Sequence, residues 1–273
     1  MSFGVLASQT LVEMIKTGAI RADHAVLPAQ VQPASLDLRL GAVAYRVRAS
    51  FLAGHGNLVS DRVKDFEMHQ IDLTKGAVLE KGCVYVIPLM ESLDLPADVT
   101  AVANAKSSTG RLDLLTRTIT DGGVEFDRIP QGYKGPLYAE VCPRSFSVLA
   151  RAGQRLNQIR FRVGHAILSD ADLYTLHAQS TLVSGDAVIS EGLGFSVDLR
   201  PQIGDLVGYR AKPHTGVIDL DLLNHYKPSD YWEEVRTLDT RIILDPGAFY
   251  ILVSRESVTI PPQYAAEMAP YLA

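Results

Sequence analysis

The stretch Gly82-Cys-Val-Tyr-Val-Ile-Pro-Leu-Met-Glu-Ser-Leu-Asp-Leu-Pro96 is matched without a gap by Gly247-Ala-Phe-Tyr-Ile-Leu-Val-Ser-Arg-Glu-Ser-Val-Thr-Ile-Pro261, with Gly, Tyr, Glu, Ser and Pro in common. Upstream, Ser35-Leu-Asp-Leu-Arg39 aligns with Ser196-Val-Asp-Leu-Arg200, and Tyr45-Arg46 answers Tyr209-Arg210. Matches in the same order indicate a duplicated β-domain. The expected organisation is a first domain over 1–165, a connector over 166–190 and a second copy over 191–273. That copy is expected to be partial, since it ends at Ala273, shortly after the position equivalent to Asn104.

Strand signals continue outward from this stretch. Cys83 to Leu89, Leu137 to Cys142 and Gln158 to Val163 read as strands, and Val43, Tyr45 and Val47 alternate with Ala44, Arg46 and Arg48. Gly54-His-Gly56, Asp121-Gly-Gly123, Pro130-Gln-Gly132 and Asp245-Pro-Gly247 are turn signals at the spacing of sandwiches and barrels. Thr10-Leu-Val-Glu13 fits a capping box opening one short helix, with Gly18 placed to stop it. The fold class is mainly β.

With 273 residues, 47% hydrophobic and 21% charged, the chain is long enough to close a large core and too apolar for disorder. Its 26 Lys+Arg against 31 Asp+Glu, net −5, supply no sequence-wide field for nucleic acid or acidic lipid, so an anionic ligand needs a local cluster. No apolar run reaches the roughly 18 residues of a membrane span, and MSFGVLASQTL lacks a charged signal region, so a cytoplasmic location is expected. Cys83 and Cys142 read as small core hydrophobes. The seven histidines form no metal-ligand spacing, so no protein-held zinc is expected.

Chemistry concentrates in three places. Lys106-Ser-Ser-Thr-Gly-Arg111 packs two cations, three hydroxyls and a glycine into six residues, and reads either as a phosphate cradle or as a helix start with Ser107 or Ser108 as N-cap. Ile129 to Gly132 suits a type I turn, and the strand beyond it alternates Leu137, Ala139 and Val141 with Tyr138, Glu140 and Cys142. Glu140 thereby shares a face with an aromatic and a thiol, a sheltered place for a proton carrier, or else points to solvent. Tyr133 either stacks on a sugar or base or caps its turn from the core. Arg128 pairs with Glu140, with Asp127 or with a ligand, or lies at the surface. Gln158, where a turn leads into a strand, is expected to be buried by its flanks and to need partners, structural or from a ligand's amide edge.

Together these segments resemble the dCTP deaminase and dUTPase superfamily, trimeric β-clip proteins with a distorted jelly-roll barrel. Gln32-Pro-Ala-Ser-Leu-Asp-Leu-Arg-Leu-Gly41 looks like the first motif of the family and Lys106 to Arg111 like the second. Arg128-Ile-Pro-Gln-Gly-Tyr-Lys-Gly135 with Glu140 resembles the third, and Gly153 to Phe161 the fourth. The tandem layout resembles the longer bacterial dCTP deaminases. The resemblance implies metal-free attack of water on cytosine C4 of dCTP. Glu140 would be the general acid/base, with Ser107 and Arg111 holding the water and the developing charge. Lys106, Ser108, Thr109, Gly110, Arg128, Tyr133 and Gln158 would bind substrate, and the backbone of Tyr138 and Ala139 would read the base. It also implies Mg²⁺ carried on the triphosphate, dTTP as an inhibitor, and a homo-oligomer with sites shared between subunits. Phe126, where deaminases usually have alanine, and Pro130, where an aspartate is usual, depart from the pattern. A dUTPase, a bifunctional enzyme and a non-catalytic nucleotide-binding module are the alternatives.

Overall fold

A strand with apolar side chains on both faces needs a packed layer on each side. Lys134–Pro143 is such a strand, buried without alternation from Leu137 to Val141. The computed structural model describes residues 3–165, 167–200, 204–237 and 239–269, so the expected end of the second copy at Ala273 and the first residue of the connector, at 166, lie outside the described residues. By its contacts the chain forms one unit of Met1–His165 with Lys212–Tyr231, and another of Ala166–Ala211 with Trp232–Ala273.

In the first unit one sheet runs in the order Arg128–Ile129, Val99–Ala105, Arg155–Val163, Ser35–Arg39, Val31–Gln32, with Gly4–Val5 paired to the far end of Arg155–Val163. A second runs Leu114–Thr120, Lys134–Pro143, Val84–Asp94, Val43–Val47, Glu67–Asp72, with Ile20–Ala22 added to Val84–Asp94. Lys134–Pro143 is therefore an interior strand. One of its faces is covered by the segment after Val43–Val47: Phe51, Ala53, Val59 and Val63, the last two from the helix Val59–Phe66, bury Val86, Ile119 and Tyr138.

Several local expectations are corrected. The first helix is Ser8–Lys16, so Thr10 lies inside it, and its N-cap Ala7 makes no side-chain bond; Gly18, at φ 80°, does end it. Ala44 and Val47 are the buried residues of Val43–Val47, because a register shift between Arg46 and Val47 breaks the alternation. The turn before Lys134 closes from Tyr133 N–H to Pro130 C=O at 3.3 Å with Gly132 at φ 66° in its third position, one residue beyond the type I placement and suited to type II. Cys83 and Cys142 are free thiols and only half-buried. Residues 212–231, expected in the second copy, pack within the first unit. There Ile218–Asp219 adds in parallel to Val148–Ala150, and Arg151 grips Asp219 with two bonds of 2.6 and 2.8 Å.

The second unit repeats details of the first. Arg46 pairs with Tyr85 and Tyr45 with Val86; Arg210 pairs with Tyr250 and Tyr209 with Ile251. Each arginine lies over its tyrosine, at 5.7 and 6.0 Å from the ring centroid. Each tyrosine hydroxyl accepts the N–H of the residue five before it, Glu80 at 2.9 Å and Asp245 at 3.1 Å. Upstream the register differs from the sequence alignment. Arg39 N–H donates to Glu91 at 2.7 Å, and Ser196 N–H donates to Glu256 at 2.8 Å, so Ser196 corresponds to Arg39 and not to Ser35.

In the first unit the acid so held is sealed from water. Pro136 pairs with Ser92 but Tyr138 with Pro88, so Val84–Asp94 bulges between them and carries Glu91 inward. Glu91 meets Arg39 Nε and Gln30 Nε2, both at 2.8 Å. Removing one member of a buried ion pair strands the other. Arg39→Met is expected to lower stability by about 3–5 kcal/mol in urea denaturation, whereas Arg21→Met, whose guanidinium meets Asp94 at the surface, should change it by less than about 1 kcal/mol.

Candidate active site

Opposite residues on neighbouring antiparallel strands point to the same face. Glu140 stands opposite Arg117 on Leu114–Thr120, and the same layer that covers Tyr138 closes over its side of the sheet. Its side chain is only 2% exposed. A carboxylate so far out of water needs a counter-charge, and Arg117 supplies it: Nε and Nη2 both donate to Oε1, at 3.1 and 2.5 Å. Nη2 also meets Ser50 Oγ at 3.1 Å, and the guanidinium carbon lies 3.6 Å from the centroid of the Phe126 ring. Glu140 Oε2 is buried with no hydrogen-bond partner.

A second acid lies nearby. Asp127, at φ 62°, accepts Thr118 N–H at 2.7 Å and donates its own N–H to Thr118 C=O. Burial pushes its carboxyl up to about 6, against the opposing pull of the Thr118 bonds and the Arg117 charge. Beyond Thr118, the fully buried Asn157 donates Nδ2–H to Thr118 Oγ1 at 3.1 Å and keeps an unpartnered Oδ1.

The other expected site residues are placed as follows. Lys106 is tied to Asp37, a buried acid also 3.5 Å from Arg155. Thr109 is buried and spends its hydroxyl on Leu156 C=O at 3.0 Å, so neither side chain is free for phosphate. Ser107–Gly110 is a single helical turn whose N-cap is Lys106, so neither serine caps it; Ser107, Ser108, Gly110 and Arg111 are exposed. Arg128 is exposed and pairs with Glu125 at 3.5 Å instead of with Glu140 or Asp127. Tyr133 caps its turn from the core: its hydroxyl donates to Pro136 C=O at 2.6 Å and accepts Asp121 N–H at 3.1 Å. The peptide groups of Tyr138 and Ala139 lie inside the sheet, paired on both sides, and burial pushes the Tyr138 phenol up to about 12. Gln158 is half-buried and accepts from Ser35 at 3.2 Å; the buried amide is Asn157, shifted inward where the register against Ser35–Arg39 breaks.

The single chain thus gathers Glu140, Arg117, Phe126 and Asp127 and leaves Ser107 and Arg111 outside that group. Arg117 and Asn157 were missed. Counting by twos from Ile119 along Leu114–Thr120 puts Arg117 on the covered face, a signal present in the sequence. Among the described residues no three His, Cys, Asp or Glu side chains cluster as metal ligands.

Comparison with known proteins agrees with this architecture. The 2'-deoxycytidine 5'-triphosphate deaminase N-terminal domain matches residues 2–165, and the C-terminal domain of the same family matches 169–273. The crystal structure of 2'-deoxycytidine 5'-triphosphate deaminase from Agrobacterium tumefaciens superposes with a TM-score of 0.91 at 49% identity, covering 96% of this chain and 79% of that one. A "dCTP deaminase, dUMP-forming" from Methanoculleus marisnigri is 29% identical over 164 residues, 58% of this chain and 79% of the relative. With both domain models matched across nearly its whole length, the chain belongs to the dCTP deaminase family.

Proposed function

We propose that this protein hydrolyses dCTP to dUTP and ammonia, with Glu140 carrying the protons. The observation that carries this reading is the divided state of the Glu140 carboxylate, one oxygen held by Arg117 and the other buried and unpartnered. A general base needs a lone pair kept from water and aimed at its proton. Oε2 takes a proton from water as the oxygen adds to cytosine C4. The proton passes to N3; Glu140 then takes the proton of the C4 hydroxyl and gives it to the amine, so that the C4–N4 bond breaks, ammonia leaves and the C4 carbonyl of uracil forms. Proton transfer of this kind is worth about 10²–10⁴ in rate.

The exposed Ser107, Ser108, Gly110 and Arg111 serve the nucleotide of a neighbouring copy in a trimer-like homo-oligomer. Ser107 and Arg111 approach the ring there, and Ser108 and the Gly110 backbone approach the phosphates. The nucleotide enters as its magnesium complex, the metal riding on the triphosphate. Lys106 acts on this surface indirectly, by anchoring the turn through Asp37. A cytoplasmic place, where free nucleotides are met, belongs to the same reading.

Incubation with dCTP and Mg²⁺ is expected to yield ammonia and dUTP in equal amounts by chromatography; dUMP as the end product would add a second hydrolysis, and no product would refute the reading. Glu140→Gln should abolish ammonia release while dCTP binding by calorimetry stays within about threefold, since the amide keeps the shape and loses the basic oxygen. Mixing Glu140→Gln with Arg111→Ala subunits should restore part of the activity, because some interfaces then pair two intact halves; no recovery after subunit exchange would argue against shared sites. The raised Asp127 carboxyl means that the folded chain holds this proton more tightly than the unfolded one, so the group costs stability as pH rises from about 4 to 6. Asp127→Asn, which keeps the acceptor for Thr118, should gain thermal stability relative to wild type across that window, and parallel melting curves would contradict it.

A further inference from the structure

Phe126 and Arg117 explain one another. Large apolar side chains beside a polar site usually exclude water, but this ring presents its face to a guanidinium at 3.6 Å. Nη2 of that guanidinium bridges Ser50 and Glu140, and Nε adds a second bond to the same carboxylate oxygen. The resulting stack runs Phe126, Arg117, Glu140 with Ser50 at its side, and it draws on strands and on the covering segment alike. Both donors fall on Oε1 and neither on Oε2, although a guanidinium fork can span both oxygens. The carboxylate is thus held edge-on, its two oxygens made unequal.

We propose that Arg117, seated on Phe126, is the positioning residue of the deaminase reaction: it fixes the rotamer of Glu140 and reserves Oε2 for the proton. The inference rests on the deaminase reading above and deepens it. In this role Arg117 works on the acid and not on the nucleotide. It acts through Glu140, and its charge remains while Glu140 cycles between carboxylate and acid, so the carboxylate is returned to the same place after each turnover. Asp127 is the other titratable group in this cluster, and Cys142, on the Glu140 face, feels both Glu140 and Arg117. Phe126 supplies the platform against which the guanidinium lies.

The test is steady-state deamination of dCTP by the full chain carrying Arg117→Met, Arg117→Lys, Arg117→Ala or Phe126→Leu, with folding checked by circular dichroism. A misplaced proton carrier costs on the order of 10² in rate. Arg117→Met is therefore expected to lower kcat about 100-fold with KM changed less than about threefold, and Arg117→Lys, which keeps the charge and loses the fork, to fall in between. Phe126→Leu should lower kcat in the same sense. Methylguanidinium added to Arg117→Ala should restore at least about tenfold of the loss, since the Phe126 face and Oε1 still bind it; should that variant not fold, the split between kcat and KM in Arg117→Lys against wild type decides. Wild-type kcat in Arg117→Met or Arg117→Lys, a loss confined to KM, or absence of rescue in a folded Arg117→Ala would overturn the proposal. If Glu140→Gln is inactive while Arg117→Met is fully active, the deaminase reading stands and this one falls. If the wild-type chain releases no ammonia, the deaminase reading itself fails.

Discussion

A carboxylate cannot leave water without a cation or a set of donors to meet it, and this structure is arranged around that constraint. Glu91 is closed in by Arg39 and Gln30, Asp37 by Lys106 and Arg155, and Glu140 by Arg117. The first joins the two large sheets of the first unit, since Arg39 is on one and Glu91 on the other. The second pins the Lys106 turn to the Ser35–Arg39 strand. Both oxygens of Glu91 accept bonds, whereas Asp37 Oδ1 and Glu140 Oε2 are each buried without a partner; Glu140 is set apart by its place on the covered face, opposite an arginine stacked on Phe126. Scaffold and proposed chemistry use the same pairing of a buried acid with a cation.

The double burial of Lys134–Pro143 is what makes the third pair possible. Interior placement between two strands sets which arginine faces Glu140, and the cover from Phe51 to Val63 removes the solvent that would otherwise hydrate the carboxylate, while Arg117 stays partly exposed. Low surrounding dielectric strengthens the Arg117 bonds and raises the cost of any alternative position for the acid.

Local apolar patterning marked Val43–Val47 and parts of Val84–Asp94, Lys134–Pro143 and Arg155–Val163 and put Glu140 on a face with Tyr138, because these depend on neighbours in sequence, while Val99–Ala105 and Leu114–Thr120 went unmarked. The chain also revealed its duplication, through residues whose contacts are local: Tyr85 with Glu80, Tyr250 with Asp245. What it concealed depends on distant pairing. Lys106 looked free because Asp37 lies far away in sequence. Gln158 looked buried because the register break that turns Asn157 inward leaves no mark in composition. Arg128 stands next to Asp127 in sequence, yet the left-handed backbone at Asp127 accompanies a guanidinium held outside by Glu125. The docking of 212–231 rests on Arg151 and a parallel bridge that no local pattern announces.

The two copies retain one device in different dress. Glu91 is bound by the main-chain N–H of Arg39 and by its guanidinium; Glu256 is bound by the main-chain N–H of Ser196 and by its hydroxyl. A peptide N–H is present for every amino acid but proline, so the main-chain donor of this clasp is inherited with the backbone itself. Mutation at the donor position therefore spares the main-chain half of the clasp, and only the side-chain half, such as the Arg39 guanidinium, is put at risk. That asymmetry lets a repeat drift in its side chains while its chain path is preserved.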